Sequence, residues 1–200
     1  MIKLGITGGI GSGKSFVSRL LAGRGVPVFD CDSQAKCLTV VDAGIRSELI
    51  ALLGPEVYIG EKINKLVLAD YLFASEENAK RINAIIHPRV RSAFREWTMK
   101  HEEEGVQLVV MESAILFESG FHTEVDRVLM IHAPLDVRCQ RVIERDHATI
   151  DQVRKRIASQ DSDEVKCSRA DYILENDGIK PLQGQLDKLF LQLQTIKANK

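Results

Sequence analysis

The chain has 200 residues, 44% of them hydrophobic and 28% charged, which excludes a disordered or fibrous chain and suits one compact α/β domain with inserted subregions. Lys and Arg number 27 against 28 Asp and Glu, a formal net charge of -1 that leaves no general electrostatic footprint for nucleic acid or an anionic membrane. No apolar run reaches the roughly 18 residues of a membrane span, and Met1-Ile2-Lys3 leads into a strand-like stretch instead of a signal peptide, so a cytoplasmic protein is expected.

In chain order, Ile2 to Thr7 reads as a short buried strand. Phe16, Val17, Leu20 and Leu21 then recur on one face of a helix that stops at Gly23 and Gly25. Val26 to Phe29 is a second strand, with Asp30-Cys31-Asp32 at its carboxyl end. A strand, helix, strand unit of this kind implies parallel pairing.

A long helical stretch follows, in which Ile82, Ile86, Val90, Phe94 and Trp97 keep a three-to-four spacing across a kink expected at Pro88. It is too long for a simple crossover and reads as an inserted subdomain. Val106 to Met111 and Val125 to Ile131 are further strands, and Tyr172 to Leu174 before Asn176-Asp177-Gly178 is a fifth. Leu182, Leu186, Leu189, Leu193 and Ile196 mark a closing amphipathic helix whose stripe is core packing. Strands alternating with helices predict a parallel sheet covered by helices.

The segment Gly8-Gly9-Ile10-Gly11-Ser12-Gly13-Lys14-Ser15 has the pattern G-x-x-x-x-G-K-S between a strand and a helix. Its glycines let successive N–H groups turn inward, and the helix opening at Gly13 adds its positive end to the same anion site. Lys14 suits the β and γ phosphates of a nucleoside triphosphate, and the Ser15 hydroxyl suits the accompanying magnesium ion. A switch GTPase would carry N-K-x-D, whereas Asn64-Lys65-Leu66-Val67 lacks the aspartate; a motor ATPase would end an apolar strand in Asp-Glu, whereas Val110-Met111-Glu112-Ser113 has one acid. A kinase acting on a small molecule fits best. The four cysteines form no C-x-x-C pair and the five histidines have no metal-ligand spacing.

Ligands of open parallel sheets bind beyond the carboxyl ends of the strands, where Asp30, Asp32 and Glu112 fall. If the chain is still extended there, Asp30 and Asp32 face one side. Asp32 is the candidate to accept the acceptor hydroxyl's proton, or alternatively caps the helix that follows. Glu112 reaches magnesium through water or is a strand-end acid. Arg138, Arg141 and Arg145 share a helix face, and Thr149-Ile150-Asp151-Gln152 has the capping-box pattern of a second helix. Such a pair reads as a lid over transferring phosphate, with Arg141 as the γ-phosphate clamp, or as a solvated charged surface.

Taken in order, these residues resemble the dephospho-coenzyme A kinase family over nearly the whole chain. The resemblance is carried by Ile6-Thr7-Gly8-Gly9-Ile10-Gly11-Ser12-Gly13-Lys14-Ser15, Asp30-Cys31-Asp32, Ile86-His87-Pro88, Leu116-Phe117-Glu118, Arg141, Arg145-Asp146, Arg156-Ile157, Gln160, Ala170-Asp171-Tyr172-Ile173 and Asn176-Asp177-Gly178. It implies a P-loop three-layer fold with a five-stranded parallel sheet. It divides the chain into a nucleotide core (about 1–32, 104–135 and 168–200), a helical acceptor-binding insertion (about 33–103) and a lid (about 136–167).

The implied reaction moves the ATP γ-phosphoryl group, with Mg2+, to the ribose 3′-hydroxyl of dephospho-coenzyme A. The implied protein is a monomer or small homo-oligomer. Catalysis would fall to Asp32, Lys14 and Arg141. Nucleotide contacts would come from Gly11, Ser12, Gly13, Lys14, Ser15, Phe16, Arg141 and Asn176, and acceptor contacts from Thr7, Asp32, His87, Leu116 and Glu118. His87, standing before Pro88, is equally read as a packed residue. Phe16 stands where the family usually has Thr, Glu112 where it commonly has Asp, and Ala114 where it has Pro.

Overall fold

The computed structural model describes the backbone of residues 1–198 and the side chains of residues 1–195. In chain order its elements are β1 (Ile2–Thr7), α1 (Lys14–Ala22), β2 (Val28–Asp30), α2 (Cys31–Val41), α3 (Ala43–Leu53), β3 (Tyr58–Ile59), β4 (Lys62–Ile63), α4 (Lys65–Ala74), α5 (Glu76–Glu103), β5 (Leu108–Glu112), β6 (Arg127–His132), α6 (Leu135–Asp146), α7 (Ile150–Ala158), α8 (Asp163–Arg169), β7 (Tyr172–Glu175) and α9 (Leu182–Ala198). The chain divides into two compact units, one of residues 1–29 with 101–200 and one of residues 30–100.

The first unit is built on a five-stranded sheet in the order β2-β5-β1-β6-β7. β1 lies between β5 and β6, and its pairings with both are parallel, as is that of β6 with β7. β2 is shorter than expected because Pro27 has no N–H; its carbonyl instead accepts a hydrogen bond from Val110 N at 2.9 Å. One core gathers Leu4 and Ile6 of β1, Val17 and Leu21 of α1, Leu129 and Ile131 of β6, and Leu186, Leu189 and Leu193 of α9. Each such side chain, fully withdrawn from water, contributes about 1.5–3 kcal/mol. Three of the expected α9 stripe residues are in this core and Leu182 packs against it, while the Ile196 side chain lies outside the described residues.

Gly5 sits in the middle of β1 for a packing reason. A Cβ there would stand 2.8 Å from Leu116 Cδ2, so the strand interior is cut away to admit the turn that follows β5. That placement sets the height of residues 114–118 above the sheet.

The second unit has its own core of Ile45, Leu49, Val57, Tyr58, Ile82 and Ile85. Its two-stranded antiparallel piece pairs Tyr58 with Ile63 across a turn at Gly60, a hairpin too short to leave a period-2 signal in the sequence. α5 is one helix of 28 residues with Pro88 inside it, burying Ile82, Ile85, Val90, Phe94 and Thr98. Ile86, expected on the apolar face, packs against this core partly buried, and Ile85 joins it there.

Candidate active site

The phosphate loop joins β1 to α1. Gly11 (φ 81°) and Gly13 (φ 91°) both occupy left-handed backbone that L side chains avoid. A Cβ on Gly11 would also lie 2.5 Å from the Arg138 carbonyl, and one on Gly13 would overlap Asn176 Nδ2. The loop closes on itself through Ser12 N to the Gly9 carbonyl (3.0 Å), and α1 starts with Phe16 N and Val17 N donating to the Gly13 carbonyl (3.0 and 3.1 Å). Gly13 is the N-cap residue and has no side chain to cap α1, so the positive end of the helix faces the loop uncovered by a capping oxygen, an arrangement that suits an anion. Lys14 Nζ donates to the Gly8 carbonyl at 2.9 Å, laying its ammonium along the loop.

Three braces hold this cradle. Asn176, at the carboxyl end of β7, donates from Nδ2 to the Ser12 carbonyl at 2.7 Å, and its own N–H donates to the His132 carbonyl at 2.7 Å. Gln160 accepts a hydrogen bond from Ile10 N at 3.1 Å, and Ile10 packs beside the buried Cys139, Val142 and Val153. Arg138, only 2% exposed, forms an ion pair with Asp163 and stands against Gly9. The loop, α6 and α7 are therefore one packed assembly.

The capping box of Thr149 and Gln152 is formed and opens α7, and His147, at φ 51°, closes α6. The three arginines of α6 share a face but meet graded environments. Arg138 is buried, Arg145 is bound to Asp146 at 2.7 and 3.0 Å and exposed, and Arg141 lies between. Arg141 stands over Gly13 and beside Gly178, with Nη1 4.0 Å and Nη2 3.8 Å from the Cβ positions of those glycines. Its Nη1 is buried without a hydrogen-bond partner, as are Thr7 Oγ1, Ser12 Oγ and Arg138 Nε. Polar groups left in this state cost about 1–3 kcal/mol each, and their gathering around one loop marks a site made for a polar ligand.

Ser15 and Glu112 meet at the foot of the loop, the hydroxyl donating to Oε1 at 2.7 Å. Glu112 is the last residue of β5 and is 8% exposed. Among the described residues no cluster of three or more His, Cys, Asp or Glu forms a metal cage. One hydroxyl and one carboxylate nevertheless fit a magnesium ion that keeps its waters and is otherwise held by phosphate oxygens. Phe16, the next residue of α1, is 48% exposed with Arg19 6.0 Å over its ring.

Leu116 is fully buried against Gly5. Glu118 Oε1 accepts from Asp161 N at 3.0 Å and pairs with Lys166 Nζ at 2.9 Å. Sequence reasoning passed over Lys166, Asp163 and the ion-paired state of Arg138.

In the second unit, the extended reading of Asp30-Cys31-Asp32 is corrected. α2 begins at Cys31, so Asp30 is its N-cap, accepting from Asp32 N (3.0 Å), Ser33 N (3.2 Å) and Ser33 Oγ (2.5 Å). The cap that had been the alternative role of Asp32 belongs to Asp30, and Asp32 stands exposed in the first turn of α2. His87 lies partly buried on α5. Burial, and after it the Arg91 guanidinium, push its imidazole below the ordinary value, which keeps it neutral near pH 7.

The family model for dephospho-CoA kinase matches residues 2–181. A dephospho-CoA kinase of Bacteroides fragilis is 52% identical over 188 residues, covering 94% of this chain and 91% of that protein. The chain belongs to the dephospho-CoA kinase family. Among solved structures, a Thermus thermophilus protein superposes with a TM-score of 0.79 at 34% identity, covering 99% of this chain and 97% of that one. The dephospho-CoA kinase of Campylobacter jejuni superposes with a TM-score of 0.68 at 22% identity, covering 99% and 98%, and supports the fold alone. The chain is thus an α/β kinase with the five-stranded P-loop architecture, and no helix among its described residues is long and apolar enough to cross a membrane.

Proposed function

We propose that the protein transfers the γ-phosphoryl group of ATP to the ribose 3′-hydroxyl of dephospho-coenzyme A, giving coenzyme A and ADP, the last step of coenzyme A synthesis. The observation that carries this reading is a formed phosphate cradle, with Ser15 on Glu112, in a chain half identical along nearly its whole length to a dephospho-CoA kinase. The N–H groups of Gly11 and of Gly13 to Ser15 hold the phosphates, and Lys14 turns from the Gly8 carbonyl to the β and γ oxygens. Arg141 adds positive charge from above Gly13.

A magnesium ion arriving with ATP would be held by Ser15 and Glu112 and would neutralise phosphate charge. Asp32 takes the proton of the acceptor hydroxyl on a carboxylate oxygen, an assignment that rests on the family's D-x-D and on its exposed place in the first turn of α2. Thr7, His87, Leu116 and Glu118 are the family's acceptor-side positions. A neutral His87 suits hydrogen bonding to the acceptor rather than charge pairing. We place the enzyme in the cytoplasm as a monomer or small homo-oligomer.

ADP release measured with dephospho-coenzyme A, AMP or no acceptor tests the reading. Strong stimulation by dephospho-coenzyme A alone is expected. Stimulation by AMP alone, or slow hydrolysis indifferent to acceptor, contradicts it.

A further inference from the structure

Lys166 is an ammonium with 0% exposure, in a seven-residue helix whose sequence, Asp163 to Arg169, reads as ordinary charged surface. A buried cation is stable only when its donors are matched. Two of its partners lie on the turn after β5: the Ala114 carbonyl at 3.0 Å and Glu118 Oε1 at 2.9 Å. The same Glu118 oxygen takes the N–H of Asp161, and Arg169 lies 4.2 Å over the Phe117 ring. Residues 161–169 thus clasp residues 114–118 at both ends and in the middle.

Two connections give the clasp a bearing on function. Ala114 follows Glu112, the carboxylate on Ser15, by two residues. Asp161 follows Gln160, whose side chain holds Ile10 of the phosphate loop. Adjacent residues at the exit of the arginine helices therefore grip the phosphate loop and the 114–118 turn.

We infer that Lys166 is a positioning residue that sets residues 114–118 for the phosphoryl acceptor and ties their position to that of the lid. Fully buried, it cannot touch either substrate and acts only through Ala114 and Glu118. The inference rests on the reading of residues 114–118 as acceptor-side.

The test compares the full-length wild type with Lys166→Met, Glu118→Gln and the double variant. KM is read separately for ATP and dephospho-coenzyme A, together with amide hydrogen exchange. Lys166→Met should raise the acceptor KM roughly 10- to 100-fold, the scale of a misplaced substrate contact, while the ATP KM stays within about twofold. Exchange should quicken at 114–118 and not at the phosphate loop. Glu118→Gln keeps its shape and its acceptor for Asp161, and should quicken exchange in the same segment. The double variant should be no worse than Lys166→Met.

An unchanged acceptor KM in Lys166→Met, equal loss for both substrates, or additive losses in the double variant would overturn the inference. Should Lys166→Met not fold, unchanged exchange at 114–118 in Glu118→Gln overturns it alone. Inactivity of the wild type toward dephospho-coenzyme A is a separate outcome: it removes the proposed function, while the exchange comparison still decides whether Lys166 holds the turn.

Discussion

The Ser15 hydroxyl lies 2.7 Å from Glu112 Oε1, joining the first turn of α1 to the last residue of β5. Glu112→Gln keeps the size and one acceptor oxygen but removes the charge that would help hold a divalent ion. Turnover should fall by about 10²-fold or more, and half-maximal rate should need more magnesium. Titrating Mg2+ against rate at saturating ATP checks this.

Asn176 is a brace first. Its Nδ2 satisfies the buried Ser12 carbonyl, and Asn176→Ala would orphan that group. The cost is about 1–3 kcal/mol, and at this chain length each kcal/mol lowers Tm by about 2–4 °C. Calorimetry should find the loss, and the ATP KM should rise because the loop's N–H groups lose their fixed directions.

Asp30 and Asp32 should separate cleanly. Asp30→Ala removes the cap of α2 and should destabilise by about 0.5–2 kcal/mol. Asp32→Asn leaves the Asp30 cap in place and should lower turnover about 10²- to 10⁴-fold with ATP affinity nearly unchanged. Near-normal turnover in Asp32→Asn would remove it as the base.

Asp146 has its carboxyl held down to about 2, first by the hydrogen bonds from Arg145 and then by Arg156. A depressed carboxylate contributes stability above its unfolded value of about 3.9 and loses that contribution as pH falls toward about 2. The group is exposed, so the effect on global stability is small. An NMR titration should place its midpoint near 2, and Arg145→Gln should move it upward.

Much of the nucleotide side was legible in the sequence because its signals are local. The glycine spacing, the Thr149-to-Gln152 box and the leucines of α9 each lie within one element. The acid at residue 112 was visible too, but not its contact with Ser15, which spans 97 residues. Lys166 was invisible for the opposite reason: a lysine following two acids in a short helix has the pattern of a solvated face, and only the tertiary fold buries it. Asp30 misled because a strand's alternation was extended two residues past the point where α2 begins.

The phosphoryl group leaving ATP is predicted to end on the ribose 3′-oxygen. Incubating the protein with ATP, Mg2+ and dephospho-coenzyme A, and following the product by 31P NMR and mass spectrometry, tests it most directly. A product heavier by one phosphoryl group, with a new monoester signal coupled to the 3′ proton, is predicted. ADP formed while dephospho-coenzyme A stays unchanged, or a phosphate at another position, would contradict it.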